Sequence, residues 1–249
     1  MSKLKTSLKD FISRFASVLL DLIYPRRCPA CDEIVTPFGE KIHAACIRKL
    51  ALQKPPWCLK CGKHIIGDDS STICEDCKKG KHQFIRGRSL YNYKDISASI
   101  YRFKYYGRQE YAEYYAEQIV EYLGDFIKRV NPDALIPVPI HRKRFLKRGY
   151  NQAAVLSKQI SKLSKIPTLD GFVKRTKNTR PLKLLDASER QKNLQKAFIV
   201  PRNDVKLKTT IIIDDIYTTG ATIDEVARAL KGAGVEDVYF VTLASGQGL

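Results

Sequence analysis

Apolar residues recur at Leu4, Leu8, Phe11, Ile12, Phe15, Leu19, Leu22 and Ile23, while Asp10, Arg14 and Asp21 keep the opposite face polar. The pattern predicts an amphipathic leader helix over residues 1–24, with no uninterrupted apolar run that would span a membrane or serve as a signal peptide. Such a helix can pack on the rest of the chain or lie along a membrane surface. The cluster Phe84, Ile85, Leu90, Tyr91 and Tyr93 reads as a strand or hairpin over residues 84–95. A helix over residues 96–103 follows and ends at Gly107, and a second covers residues 111–130 with a stripe at Tyr111, Tyr114, Tyr115, Ile119, Tyr122, Leu123 and Phe126. Tyrosines so spaced suit a core or an interface; the alternative is a stacking surface for unpaired bases.

Beyond residue 133 the pattern changes. Residues 134–140, ALIPVPI, predict a buried strand ending in a proline-fenced turn; a dense basic loop follows, and a helix opens near Tyr150. From Arg175 the chain is polar, basic and weakly periodic until Phe198, as expected of a mobile excursion or a β-ribbon. Ile211, Ile212 and Ile213 then form a β-branched run without polar relief, the mark of a strand covered on both faces. A helical stripe at Ile223, Val226, Ala227 and Leu230 leads to a last buried strand over residues 238–243. This β-α-flap-β-α-β order predicts a parallel sheet with crossover helices, whose ligands sit at the C-terminal strand ends.

One of those ends carries chemistry. The stretch TIIIDDIYTTGAT (residues 210–222) sets Asp214 and Asp215 at the strand end, then the small, hydroxylated turn Thr218, Thr219, Gly220, Ala221 and Thr222. A turn of this kind at a helix N-terminus offers free N–H groups and positive potential to a phosphate. The carboxylates suit what lies a few ångströms away, vicinal hydroxyls or a magnesium ion. A sugar phosphate satisfies both. An acid doublet that binds magnesium without a sugar is the competing reading, and the TTGAT turn speaks against it.

Cysteines supply the second signal. C-P-A-C (Cys28, Cys31), H-A-A-C (His43, Cys46), C-L-K-C (Cys58, Cys61) and C-E-D-C (Cys74, Cys77) are four knuckles with two intervening residues each. Eight such ligands predict one or two structural Zn2+ sites in a reducing cytosol. The sequential grouping is Cys28, Cys31, His43, Cys46, then Cys58, Cys61, Cys74, Cys77; an interleaved grouping has the same spacing. Seven thiols, an odd number, argue against a disulfide framework. The chain carries 44 Lys+Arg against 26 Asp+Glu, a formal charge of +18, which implies an anionic partner. Residues 141–180 hold twelve of those cations and one acid, Asp170, enough to grip a pyrophosphate or a nucleic-acid backbone.

The acid pair with its TTGAT turn resembles the phosphoribosyl-diphosphate (PRPP) signature of type I phosphoribosyltransferases. The whole run is similar to the ComF/GntX family of bacterial competence-associated proteins: the double zinc ribbon, Y-x-F-K-x-x-G, P-V-P before R-x-x-R-G-Y-N-Q, R-T-x-x-T with ER-x-x-N and AF, and DDIYTTGAT. Two positions depart from it: His43 stands at a cysteine position, and Pro181 where glutamine is frequent. The resemblance implies an α/β, type I phosphoribosyltransferase-like (Rossmann-like) parallel sheet over residues 83–249, behind an N-terminal zinc-ribbon domain over residues 25–82. It implies Asp214 and Asp215 on the ribose hydroxyls and Mg2+, and Thr218 to Thr222 on the 5′-phosphate of PRPP. Val138, Pro139, Ile140, His141 and Arg142, with the basic Arg144 and Arg148, would line the pyrophosphate side. Arg175, Lys177, Arg180 and Arg190 would sit on a flap that excludes water and neutralises leaving-group charge. It further implies single-stranded DNA handling in the cytoplasm during natural transformation, with other competence proteins as partners. A phosphoribosyltransferase of nucleotide or cofactor metabolism with an unassigned acceptor, or a PRPP-sensing regulator, is the alternative.

Overall fold

The computed structural model describes residues 24–65, 72–176, 197–201 and 206–246. The leader stripe and the flap cations Lys177, Arg180 and Arg190 lie outside the described residues. The isoleucine run forms the middle of β5 (Thr209–Tyr217), an interior strand of a four-stranded sheet. β1 (Arg86–Asn92), β6 (Asp237–Ser245), β5 and β2 (Ala134–Pro137) lie side by side in that order, every neighbouring pair parallel. Ile211, Ile212 and Ile213 are fully buried, as a strand with helices on both faces requires. A separate antiparallel ribbon, β3 (Lys174–Arg175) with β4 (Phe198–Ile199), closes the base of the excursion.

Side chains alternate across the sheet and so build two cores. On one face Ile211, Ile213, Val241 and Leu243 meet the helices α2 (Tyr93–Tyr105), α3 (Tyr111–Val130) and α5 (Gln152–Ser164). On the other, Ile212, Ile136, Val238 and Phe240 meet α6 (Ala221–Gly232) through Ile223, Val226, Ala227 and Leu230. The tyrosine stripe is core: Tyr115 is buried against Phe103, Tyr91 and Tyr111, and of its tyrosines only Tyr122 is half exposed. The remaining helices are short: a 3-10 turn (Ala44–Lys49), α1 (Glu75–Lys79) and α4 (Arg142–Arg148).

Two elements differ from the sequence reading. Of the strand-or-hairpin reading of residues 84–95 the strand holds, since β1 joins the main sheet as its edge, but α2 starts three residues earlier than expected. The basic stretch expected as a loop is α4. His141 caps it, its Nδ1 accepting from the Lys143 N–H at 3.2 Å, and Gly149 ends it in the left-handed region at φ 81°. Arg, Lys and Leu are strong helix formers, so two caps suffice for a two-turn segment.

The cysteine modules straddle edge strand β1. Cys28, Val35, Ile42, Cys46 and Leu50 enter the first core, whereas Cys58, Cys61, Ile65 and Phe84 enter the second. Their backbone also covers the strand edge: Gln53 N–H donates to Leu90 C=O, and Gly87 N–H donates to Lys60 C=O, both at 2.9 Å. Gly87 permits this close fit, since a Cβ there would lie 2.1 Å from the Phe240 ring. That ring stacks on Tyr217 (4.7 Å between centroids) and meets Phe84 edge-on at 4.8 Å. Gly87→Ala should therefore cost about 1–3 kcal/mol through overpacking. A melting temperature lowered by several degrees in zinc-replete buffer is the expected reading, and an unchanged one would contradict the packing.

Candidate functional site

β5 leaves the sheet with Asp214 and Asp215 at its C-terminal end, and the chain turns at once into α6. Gly220, at φ 86°, is the N-cap. A cavity of about 450 Å³ opens there, at the carboxyl ends of the strands. Asp214, Asp215, Thr218, Thr219, Gly220, Ala221 and Thr222 line one wall; Val138, Pro139, Ile140, Arg144, Arg148 and Arg175 line the other. His141 and Arg142 are not in its wall: His141 caps α4, and Arg142 is exposed on that helix. Sequence reasoning missed Lys104, Tyr93, Tyr105, Asn151 and Gln152, which also line it. The F-K-x-x-G run carried Lys104 in plain view, but without a role.

The acids occupy unlike surroundings. Asp215 pairs through Oδ2 with Lys104 Nζ at 2.8 Å, both side chains largely buried. Asp214 accepts the Asp215 N–H at 2.9 Å. Burial, reinforced by the neighbouring Asp215 charge, raises its carboxyl to about 7 against the hydrogen bond and the Lys104 and Arg175 charges that lower it. Across the cavity Arg175, stacked over Phe198 at 5.3 Å, is lowered to about 10 by burial and by Arg144. Arg144 is lowered in turn by burial and by Arg148. Guanidinium groups gathered in a half-dry site are relieved by an anion.

The turn fits a phosphate on separate grounds. Thr219 Oγ1 and Tyr217 OH are buried and lack a hydrogen-bond partner among the described residues, and an orphaned hydroxyl facing a cavity invites a ligand oxygen. The turn is also braced from below. His82 Nδ1 lies 2.8 Å from Asp224 Oδ2, the Gln83 N–H donates to Asp224 Oδ1 at 2.7 Å, and the His82 ring stacks on Phe84 at 4.6 Å. A Cβ at Gly220 would sit 2.8 Å from Tyr217 OH and 3.0 Å from His82 Cε1. Glycine is needed there both for its positive φ and for the room. His82 belongs to no knuckle, so its part in the site had no sequence signal.

The knuckles converge in sequential order. Ligand atoms of Cys28, Cys31, His43 and Cys46 lie within 4.8 Å of one another, and so do those of Cys58, Cys61, Cys74 and Cys77. His43 points Nδ1 to within 3.4 Å of Cys31 Sγ, while Nε2 lies 2.9 Å from the Ile34 carbonyl. If Nε2 carries the proton it donates to that carbonyl, which leaves Nδ1 free as a metal ligand. The two turns are built alike: Asp32 N–H donates to Cys28 C=O and Gly62 N–H to Cys58 C=O, both at 2.8 Å. Gly62 has φ 74° and no room for a Cβ, which would lie 2.7 Å from Gly87 O; Asp32 holds φ 67° with its carboxylate on Arg108 (2.8 Å) and Tyr111 OH (2.6 Å). Both donor sets, three thiols with an imidazole and four thiols, fit tetrahedral Zn2+ with no position left open.

The comparisons with known proteins agree with this geometry. The double zinc ribbon domain family matches residues 19–78, and the phosphoribosyl transferase domain family matches residues 117–248. "Competence protein F" of Haemophilus influenzae is 33% identical over 196 residues, covering 76% of this chain and 84% of that protein. The chain belongs to the competence protein F (ComF) family. "Competence protein ComFC" of Bacillus subtilis is 29% identical over 209 residues, 78% of this chain and 80% of its own length. "DNA utilization protein YhgH" of Escherichia coli K12 is 33% identical over 110 residues, 43% and 48% of the two chains. A solved purine phosphoribosyltransferase of Pyrococcus horikoshii aligns with 52% of this chain at 21% identity and a TM-score of 0.32, too distant to bear on function. These matches make the sheet one of the type I phosphoribosyltransferase kind, with a double zinc ribbon before it. Among the described residues no helix is long and apolar enough to cross a membrane.

Two measurements bear on these sites. Elemental analysis should find two zinc ions per chain, one after His43→Ala and two after His43→Cys. The raised carboxyl of Asp214 makes the fold proton-linked. Between the usual aspartate value near 4 and about 7 the folded chain holds a proton that the unfolded chain has released, so stability falls as pH rises through that window. Asp214→Asn should remove the fall: without divalent cations its melting temperature at pH 8 should exceed that of the parent, and the two should converge near pH 4.

Proposed function

We propose that this ComF-family chain is a cytoplasmic competence factor that handles single-stranded DNA and holds PRPP with Mg2+ in the cavity at the strand ends. The observation that carries the reading is the convergence, on one cavity, of the carboxylate pair, the braced TTGAT turn and the guanidinium groups of Arg144, Arg148 and Arg175. In this reading the amides of residues 218–222 and Thr219 Oγ1 bind the 5′-phosphate. Asp214 and Asp215 take the ribose hydroxyls, and Lys104 keeps Asp215 in place. Arg144, Arg148 and Arg175 face the diphosphate. Bound Mg2+ would supply charge neutralisation between the diphosphate and the two carboxylates.

If the site turns over, a nucleophile forms a bond to C1 of the ribose while the C1–O bond to diphosphate breaks and its electron pair leaves with pyrophosphate. The sugar passes through an oxocarbenium-like state, and the chain contributes positioning and charge stabilisation rather than a covalent intermediate. The DNA half of the reading is supported by what its relatives are called and by the cavity rim. Tyr101, Tyr105 and Tyr106 are about half exposed and cluster with centroids 4.8 and 5.7 Å from Tyr101. Arg148 lies over the Tyr105 ring at 4.7 Å. Exposed aromatics beside cations suit unpaired bases, at about 1–3 kcal/mol per stacked base. The completeness of the site favours a second reading, a phosphoribosyltransferase whose acceptor enters past this rim; a PRPP sensor without turnover would use the same pocket.

Calorimetric titration with PRPP and Mg2+ tests the shared premise. The parent should bind, Asp215→Ala should lose binding, and Thr219→Val should weaken it about tenfold, the loss expected for one hydrogen bond to a charged oxygen. Equal affinity in all three would refute the site. Pyrophosphate release in the presence of an acceptor separates the transferase from the sensor.

A further inference from the structure

A second concavity, of about 520 Å³, lies at the other end of the sheet from the PRPP cavity, where β1 and β6 begin and α3 ends. Lys60, Arg86, Arg88 and Arg129 line it, from the second cysteine module, the edge strand and the helix terminus. Among the described residues no carboxylate lines it, and none of these four cations forms an ion pair. Arg88 bonds only backbone carbonyls, of Cys58 at 3.4 Å and Gly87 at 3.3 Å. Its guanidinium lies between two rings, Phe126 at 5.7 Å and Trp57 at 6.0 Å, and Trp57 is 41% exposed. Like charges gathered over an apolar floor repel one another, and an anion entering the groove relieves that cost.

We infer that this groove binds single-stranded nucleic acid, its phosphates on Arg86, Arg88 and Arg129 and its bases against Trp57 and the apolar floor. A strand is favoured over a free nucleotide because the cations come from three separate elements, more than one phosphate engages, and because Trp57, outside the lining but 6.0 Å from the Arg88 guanidinium, is open to solvent. Forked guanidinium groups suit phosphate oxygens, and every base offers a face to stack. The inference deepens the DNA half of the proposed function and rests on it, but names a surface that the PRPP cavity does not share.

Fluorescence anisotropy with a labelled twenty-nucleotide oligothymidylate tests it on the full, zinc-loaded chain. Arg86→Gln/Arg129→Gln, which alters exposed side chains, should bind the strand at least about tenfold more weakly while PRPP titration and melting temperature stay as in the parent. The slope of log affinity against log salt should become shallower by about 0.7 for each phosphate contact removed. Arg88→Gln should act in the same direction. Unchanged strand binding in these variants, with loss in Tyr101→Ala/Tyr106→Ala instead, overturns the groove and leaves the DNA reading standing on the cavity rim. A parent that takes PRPP but no strand overturns both. Competition by thymidine monophosphate or by polyglutamate as effective as by the oligonucleotide would mark a site for a free nucleotide or an acidic peptide and would likewise overturn the inference.

Discussion

Two adjacent carboxylates at the end of a strand buried on both faces impose the central constraint on this molecule. Neither can be solvated freely, and both cannot be ionised there without compensation. The chain answers with Lys104 on Asp215 and leaves Asp214 with a raised carboxyl. The lysine comes from α2 and the acids from β5, so the contact ties the upstream helix to the centre of the sheet. The arrangement stores an unfavourable charge balance that a cation or a hydroxylated ligand can relieve, as expected where function and stability compete.

The zinc modules are more than an appendage to this scheme. Each contributes residues to one of the two cores, and together they flank β1. The second reaches farther: the segment just after Cys77 supplies His82, whose bond to Asp224 anchors the first turn of α6 and whose ring backs Gly220. Lys63, buried against Asp76, lies 5.5 Å from the Tyr217 ring under the same turn. The second cysteine group and the TTGAT turn thus share a wall through direct contacts.

Much of this could be read from residue order. The isoleucine run, the acid pair and the TTGAT turn are local signals, and strand, site and helix follow from them within thirteen residues. Knuckle spacing likewise announced the cysteine groups, because a two-residue gap is itself the geometry a metal needs. What escaped was set by contacts between distant segments. Lys104 meets Asp215 and His82 meets Asp224 across more than a hundred residues, and no periodicity encodes such a meeting. The helix α4 was hidden by its charge: seven residues with five cations look like a solvated loop until His141 and Gly149 are seen to cap them. The four-cation groove was invisible for the same reason, since its members are scattered from residue 60 to residue 129.

The covering of β1 has a consequence for zinc starvation. The backbone groups that satisfy its outer edge belong to Gln53, between the two cysteine groups, and Lys60, inside the first knuckle of the second. Ribbons of this size hold their shape through the metal. Stripped of it, the chain would expose a row of unpaired amides beside an intact apolar sheet, an invitation to intermolecular strand addition. Metal scarcity would then drive the protein toward clumping rather than simple loss of binding, and a cell short of zinc would lose it irreversibly.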